Sequence, residues 1–376
     1  MKINRIAQVG AIAAIAALAL AGCSSSPSSS GSTSTASASP TDAAVNVTLD
    51  TSLTGTIAAG GSSAQANAQA AWTAAYTASV KGVTVNYDKS QGSGGGVTNF
   101  LSGAYDFAGS DAPLSADETA KSKTLCAPGG IDIPIYLDGV SVIFNVPGVT
   151  SLKLSGATIA NIFNLKITDW SDPAITKDNG KALPAGPITT VARSDGSGTT
   201  ANFTNYLAAT QTAAWPYPAG KQWPVSGNVS LQKGGSGVVA TVKAGTGTIG
   251  YADHSAIGDL SAASVIQDGT AIAFSPEAVA KTFSVAAVDA SNGVPGDMSK
   301  KFDYSKLTTE TYPIPLVSYA ITCSTFKDSK QATLTKSYLG YVASTLGQQI
   351  SAKNAGSAPL PNDTLKQAQT SINGIK

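Results

Sequence analysis

The chain has 376 residues, of which 12% are charged, against roughly 25% in a typical soluble protein. Its 24 Lys and Arg nearly balance its 23 Asp and Glu, so the formal net charge is +1, and the sequence contains no basic run. A nucleic-acid-binding protein needs a basic surface, so nucleic acid is excluded as a partner. One histidine and three cysteines are too few for a metal site, and no cofactor is expected.

The first 22 residues have the features of an export signal. A positively charged start precedes a short apolar run at 11–21, which is too short for a membrane span of about 20 apolar residues. The run ends in Leu-Ala-Gly-Cys, which resembles the lipobox of bacterial lipoproteins. We interpret 1–22 as a lipoprotein signal peptide and Cys23 as the lipidated, palmitate-bearing residue; a plain signal peptide or an anchor helix is the alternative. The protein is then exported and held by lipid at the outer face of the cell membrane.

The next segment, 23–45, consists almost wholly of Ser, Thr, Ala, Gly and Pro. Such a composition buries too little apolar surface to offset the entropy of ordering, so it predicts a flexible tether. About 330 residues remain for the folded part, a length that favours two domains.

From residue 53 onward, short β-like runs alternate with Gly/Ser-rich turns and helical patterns. This alternation favours an α/β architecture with largely parallel strands. Strands are predicted within 55–61 (followed there by a loop), 83–87, 105–113, 131–146, 188–192, 247–253 and 312–322. Helices are predicted within 64–79, 97–103, 154–172, 200–209, 236–242 and 332–345.

Three Gly/Ser-rich loops each open a predicted helix: AAGGSSAQ (58–65), SQGSGGGV (90–97) and RSDGSGTT (193–200). A helix N-terminus has free N–H groups and the positive end of the helix dipole, so it attracts anions. One such loop is usually only a helix cap. Three of them favour a pocket for an oxyanion.

Arg193 is the cation of the third loop. A guanidinium presents a planar fork of donors that suits the oxygens of an oxyanion. Asp195, two residues on, can pair with it and fix the orientation of the fork; the alternative is a surface ion pair of little energetic value.

Asp111, in GSDAPLS (109–115), suggests selectivity. A carboxylate repels an anion unless that anion carries a proton to donate, as phosphate does at neutral pH and sulfate does not. A buried polar group left unpaired by the wrong ligand discriminates strongly between ligands. The alternative is that Asp111 only caps the turn before Pro113.

Three longer stretches resemble a known family: VNYDKSQGSGGGV (85–97), YDFAGSDAPLS (105–115) and RSDGSGTTANFTNYL (193–207). The chain is similar, from about residue 53 to 369, to the phosphate-binding proteins of bacterial phosphate ABC transporters. The resemblance implies a type II, two-domain, periplasmic-binding-protein-like α/β fold with the ligand in the interdomain cleft. It also implies a discontinuous first domain of 46–135 and 312–376, and a second domain of 136–311.

The resemblance carries over a set of phosphate ligands. They are the hydroxyl and N–H of Ser63, the N–H of Ala64, Ser93, Asp111 as proton acceptor, Arg193, Ser197, the N–H of Gly198 and Thr199, with Asp195 orienting the arginine. The family usually has Thr then Phe where this chain has Ser63 and Ala64, so the hydroxyl is kept and a bulky cover over the anion is lost.

The expected function is capture of inorganic phosphate outside the cell by a monomer that delivers it to the permease and ATPase subunits of an ABC transporter. No catalytic residues are expected. The alternatives are a binding protein for sulfate or molybdate, a phosphatase-type enzyme, and a surface adhesin or signalling protein. The single histidine, His254, lies in no catalytic motif. For Cys126 and Cys323, a disulfide is favoured over free thiols because the protein is expected in an oxidising compartment.

Overall fold

The computed structural model describes residues 43–376. The expected signal peptide, the lipidation site Cys23 and all but the end of the expected tether lie outside the described residues.

The described part of the chain alternates strands and helices, numbered here in chain order. Its strands are β1 Thr54–Gly61, β2 Gly82–Asp88, β3 Phe107–Ser110, β4 Gly130–Asn145, β5 Lys153–Ser155, β6 Thr189–Arg193, β7 Val229–Gln232, β8 Thr248–Asp253, β9 Ser261–Ala262, β10 Ser264–Gln267, β11 Thr270–Ile272, β12 Ala287–Val288, β13 Lys300–Lys301 and β14 Pro315–Cys323. Its α-helices are α1 Ala66–Ser79, α2 Gly92–Leu101, α3 Ala116–Ser122, α4 Gly156–Phe163, α5 Pro173–Asn179, α6 Gly198–Thr210, α7 Gly234–Ala244, α8 Pro276–Ser284, α9 Ser329–Val342, α10 Thr345–Ala355 and α11 Asn362–Asn373.

The main sheet has the strand order β2-β1-β3-β14-β4-β8-β6-β7, with β9 also paired to β4. Parallel pairs join β1 to β2 and β3, and β6 to β7 and β8. Strands β14 and β4 run antiparallel to their neighbours. The predicted α/β fold is therefore observed, but the prediction of largely parallel strands is wrong: the sheet is mixed, because β4 and β14 pair antiparallel with every neighbour.

The long strand β4 connects the two parts of this sheet. Its first residues, up to Gly139, pair with β14, and those from Val140 onward pair with β8. The side chains of β14 are buried throughout, and so are those of β4 except its last residue, as expected for strands covered on both faces. The domain boundaries at 135/136 and 311/312 stay a prediction; β4 crosses the first of them, and β14 begins shortly after the second.

The helix predicted at 64–79 is observed as α1, and its Trp72 and Tyr76 are both fully buried. These two side chains lie four residues apart and so share one face of the helix. On that face, Tyr76 contacts Tyr338 of α9 and Trp72 donates to the Gly347 carbonyl of α10. The aromatic pair therefore belongs to the hydrophobic core.

Two predicted boundaries near the glycine loops are wrong. Strand β1 continues through Gly61, where a loop was predicted, and α2 begins at Gly92 instead of 97. A Cβ on Gly96 would lie 2.5 Å from the Cα of Gly61. Glycine is weak in helices, but here it allows the α2 backbone to pack directly on β1, and that packing outweighs its low helix propensity.

Cys126 and Cys323 form a disulfide, with their Cα atoms 5.1 Å apart. It joins the segment before β4 to the last residue of β14, so the favoured interpretation of these cysteines is confirmed. Within residues 43–376, no helix combines the length and the apolar character needed to cross a bilayer.

Candidate functional site

The site begins where strands β1 and β3 end side by side. Gly61 at the end of β1 pairs with Gly109 of β3, and Asp111 follows β3 directly. The strand order reverses around β1, and in open α/β sheets ligands bind beyond the carboxyl ends of the strands at such a point. The topology therefore puts Asp111 where a ligand is expected.

Asp111 is buried and receives hydrogen bonds from several hydroxyl groups. Its Oδ1 accepts from Ser62 Oγ and, at 2.6 Å, from Ser318 Oγ. Its Oδ2 accepts more weakly from Thr199 Oγ1 at 3.3 Å and Ser93 Oγ at 3.4 Å. Burial raises the pKa of Asp111, while these hydroxyl donors and the charge of Arg193 oppose that rise.

The second loop is the start of helix α2. The Ser93 side chain is buried, and its Oγ also accepts from the Asp111 N–H at 3.2 Å. The Gly94 N–H donates to the Gly196 carbonyl at 2.8 Å, so the second and third loops touch backbone to backbone. Ser93 is thus held between Asp111 and the third loop.

The third loop follows strand β6, whose last residue is Arg193. Its guanidinium is only 2% exposed and donates to both carboxylate oxygens of Asp195, Nε at 2.7 Å and Nη2 at 2.5 Å. Burial alone would raise the pKa of Asp195, but the hydrogen bonds and charge of Arg193 outweigh it and lower the pKa. Asp195 therefore holds the guanidinium in one orientation, and its role toward a ligand stays a prediction.

Helix α6 begins immediately after this loop. The Ser197 Oγ accepts from the Thr200 N–H at 3.1 Å, which makes Ser197 the N-cap. A Cβ on Gly198 would lie 2.7 Å from both the Asp111 N and Ser93 Oγ. Only glycine allows the start of α6 to come this close to the second loop and to the turn after β3.

The hydrogen bonds of Ser63 and Ala64, unlike those of Ser93 and Thr199, are not made with Asp111. The Ala64 N–H donates to Ser62 Oγ at 3.1 Å, while Ser63 Oγ accepts from the Gly235 N–H at 3.2 Å. The hydroxyl that contacts Asp111 in the first loop is therefore that of Ser62, which the sequence analysis did not select. Ser63 faces the start of helix α7.

Four helices begin around these side chains: α1, α2, α6 and α7. The sequence analysis associated the starts of the first three with an oxyanion pocket; it predicted a helix at 236–242 but did not place its start at the site. The fourth, α7, is present through Gly234, whose N–H donates to Asp195 Oδ1 at 3.0 Å, and through the Gly235 contact with Ser63. Four positive helix ends at one place make it suitable for an anion.

The charged side chains of the site are one guanidinium and three carboxylates, namely Arg193 with Asp111, Asp195 and Asp253. Asp253 ends strand β8 and is buried. Since carboxylates outnumber the cation, an anion here must be held by N–H and O–H donors, and hydrogen-bonding geometry will decide which anion fits.

A cavity opens on each side of this cluster. One, of about 660 Å³, is lined by Asp111, Asn202, Lys221, Lys300 and Tyr304 among others. The other, of about 620 Å³, is lined by Ser63, Lys233, Gly235 and Asp253 among others. Both contain lysines, so the approaches to the site are more basic than its centre.

The single histidine of the chain, His254, makes its contacts away from the anion-binding loops. His254 stacks on Phe274 and hydrogen-bonds Ser141 Oγ through Nδ1 at 2.8 Å, and burial lowers the pKa of His254 to about 4. Among residues 43–376, no group of three or more His, Cys, Asp or Glu side chains is arranged to hold a metal ion.

Comparison with known proteins identifies relatives of the chain. The model of the PBP superfamily domain matches residues 33–345. Phosphate-binding protein PstS 3 of Mycobacterium tuberculosis is 33% identical to this chain over 383 residues, and the alignment covers 100% of both chains. Phosphate-binding protein PstS 2 of the same organism is 35% identical over 324 residues, which cover 84% of this chain and 86% of PstS 2. The solved phosphate-binding protein from Stenotrophomonas maltophilia superposes with a TM-score of 0.67 at 20% identity, covering 84% of this chain and 93% of that one, which supports the fold alone.

Proposed function

We propose a function from the premise that this chain belongs to the PBP superfamily and to the PstS phosphate-binding proteins. The protein captures inorganic phosphate outside the cytoplasm and delivers it to an ABC transporter. Its fold is the two-domain periplasmic-binding-protein-like α/β fold. The ligand would lie in the cleft between the domains, among the ends of β1, β3, β6 and β8.

The observation that carries the proposal is the position of Asp111. Its carboxylate is buried within reach of hydroxyl groups from the first, second and third loops, with Arg193 beside them. A buried carboxylate among anion-binding helix ends needs a ligand that brings its own proton. Phosphate satisfies this need at neutral pH, whereas sulfate leaves two like charges facing each other.

The predicted ligand residues are retained in this proposal, including the Ser63 hydroxyl, which accepts from the Gly235 N–H and keeps its own hydrogen for the anion. Arg193 would contact phosphate through the N–H groups that face away from Asp195, and Ser93, Ser197 and Thr199 through their hydroxyls. Backbone N–H groups of Ser63, Ala64 and Gly198 would donate from the helix starts. We add Ser62 and Ser318 as residues that orient the Asp111 carboxylate, because both donate to its Oδ1.

The protein would act as a monomer that binds and releases phosphate without chemical change. Domain closure over the anion is the conformational change that such a protein presents to the permease and ATPase subunits. Lipidation at Cys23 and the 23–45 tether would hold it at the outer face of the membrane. A phosphatase would need a base beside the anion, whereas His254 stacks on Phe274 and hydrogen-bonds Ser141 Oγ, which belongs to none of the anion-binding loops.

Calorimetric titration of the protein with phosphate, sulfate and a phosphomonoester tests the proposal. We expect heat from phosphate only, with one site per chain. Release of phosphate from the monoester would support an enzyme, and equal binding of sulfate would support a general oxyanion-binding protein.

A further inference from the structure

The two parts of the main sheet carry equivalent carboxylates. In the first part, Asp111 follows β3, which pairs with the central strand β1. In the second part, Asp253 ends β8, which pairs with the central strand β6, Val191 lying opposite Gly250. Both carboxylates therefore emerge at a point where the strand order reverses, which is where ligands bind in such sheets.

Asp253 has an oxygen without a hydrogen-bond partner. The side chain is buried, with 1% exposed, and its Oδ2 accepts from Ser255 Oγ at 3.0 Å. Its Oδ1 is fully covered and has no partner among the described residues. Buried acceptors are nearly always paired, so this oxygen points to a donor brought by a ligand.

The unpaired oxygen faces the anion-binding loops. A Cβ on Gly235 would lie 3.1 Å from Asp253 Oδ1 and 3.4 Å from Ser63 Oγ. Asp253 and Ser63 line the same cavity, next to the start of helix α7. The oxygen is thus beside the first loop, close to where phosphate would enter.

Acidic and basic groups both surround Asp253. Burial and then the charge of Asp111 raise the pKa of Asp253 to about 6, while Arg193 opposes this. Behind it, burial and the charge of Asp253 raise the pKa of Asp138 to about 7. The neutral Tyr136 hydroxyl joins Asp138 Oδ2 to Ser255 Oγ, at 3.0 and 2.8 Å. The basic groups lining the same cavity are Lys89, Lys233 and Lys243.

We propose that Asp253 is a second proton-sharing ligand of the bound phosphate, its Oδ1 sharing one hydrogen with a phosphate oxygen. This inference rests on the proposed function. Hydrogen phosphate carries one proton, and its O–H group donates a hydrogen bond to the Asp111 carboxylate in the complex. The hydrogen between Asp253 and phosphate must come from solvent: the carboxylate, the dianion and one proton combine, and no covalent bond other than O–H forms or breaks.

The proposal has a thermodynamic consequence that a merely structural role for Asp253 would not have. At a pH above the titration of phosphate and of Asp253, each binding event takes up about one proton, so the dissociation constant rises about tenfold per pH unit. If Asp111 were the only carboxylate contacting phosphate, the dianion would bind at that pH without proton uptake.

The experiment is calorimetric titration with inorganic phosphate at about pH 8, in two buffers of different ionisation enthalpy, which gives the number of protons taken up. We expect about one for the wild-type protein, close to none for Asp253→Asn, and about one for the control Asp132→Asn. Asp132 is also buried with a strongly raised pKa, caused first by burial and then by Asp297, but it lies outside the proposed ligand set.

Equal proton uptake by the wild-type protein and a folded Asp253→Asn variant overturns the inference, and so does binding without uptake by the wild-type protein. The wild-type measurement decides even if the variant does not fold. A wild-type protein that binds no phosphate at all contradicts the proposed function itself, so the two failures are distinguishable.

Discussion

Thr199 Oγ1 lies 3.3 Å from Asp111 Oδ2, although the two residues are 88 positions apart in the chain. Nearby, the Asn202 side chain donates to the Asp111 carbonyl at 2.6 Å. The third loop and the turn after β3 are therefore in direct contact. In a protein that closes over its ligand, these contacts are the ones we expect in the closed arrangement.

Asp111→Asn tests the basis of selectivity. The amide offers N–H donors in place of an acceptor, so sulfate is no longer repelled and phosphate loses the partner for its proton. We expect phosphate affinity to fall by about 1.5–3 kcal/mol, the value of a hydrogen bond to a charged group, and sulfate binding to become measurable. Calorimetry with both anions measures the ratio; a preference for phosphate as strong as that of the wild-type protein would contradict this role.

Arg193→Lys tests the oriented guanidinium. Lysine keeps the charge but cannot hold both oxygens of Asp195 while presenting donors to an anion. We expect the dissociation constant for phosphate to rise about tenfold or more, a loss of about 1.4 kcal/mol. Lys281→Ala is the control, since Lys281 forms an exposed pair with Glu310 and its loss changes stability by no more than about 0.5 kcal/mol. Unchanged phosphate affinity in Arg193→Lys would remove Arg193 from the ligand set.

Gly198→Ala tests the close approach of the loops. The added methyl group would lie 2.7 Å from the backbone N of Asp111, so the third loop must move away. We expect phosphate affinity to fall at least tenfold, or about 1.4 kcal/mol, with a smaller loss of stability in the phosphate-free protein. The matched control is Gly186→Ala, where a methyl group meets nothing within 4 Å. Equal affinities for the two variants would show that this contact does not matter for binding.

The pair Asp138 and Asp253 predicts how stability depends on pH. Both carboxyl groups have a pKa in the folded protein, about 7 and about 6, above the ordinary value of 3.8. The folded state therefore binds more protons than the unfolded state between these values, so their contribution makes the free energy of unfolding fall as the pH rises from about 4 to 7. The free energy of unfolding can be measured by denaturant titration of the phosphate-free protein between about pH 5 and 8. We expect it to fall less steeply with pH for Asp138→Asn than for the wild-type protein. If the free energy of unfolding depended on pH identically in both proteins, Asp138 would have an ordinary pKa in the folded state.

The candidate site residues that can be identified from the sequence alone are mostly those in local motifs. Arg193, Asp195, Ser197 and Gly198 lie within one loop, and a strand followed by a capped helix fixes their arrangement over a few residues. Asp111 was found because a carboxylate beside three anion-binding loops requires an explanation. For the four residues of the third loop, neighbours in the chain are also neighbours in the molecule, whereas Asp111 meets that loop across 88 positions.

The residues that were missed depend on strand order. Ser318 contacts Asp111 across 207 positions, and it lies in an apolar strand without any motif. Asp253 reaches the site only because β8 pairs with β6, and Gly235 only because α7 begins beside Asp195. No local pattern reports such pairings. Ser62 does not depend on strand order in this way, because it lies in the first loop, directly before the predicted ligand Ser63.

The most direct test of the central claim is equilibrium dialysis of the protein against labelled phosphate in the presence of a large excess of sulfate. If Asp111 requires a ligand that donates a proton, the protein retains one phosphate per chain and sulfate does not displace it. Displacement of phosphate by sulfate in proportion to its concentration would contradict the account, because the cleft would then bind oxyanions by charge and shape alone.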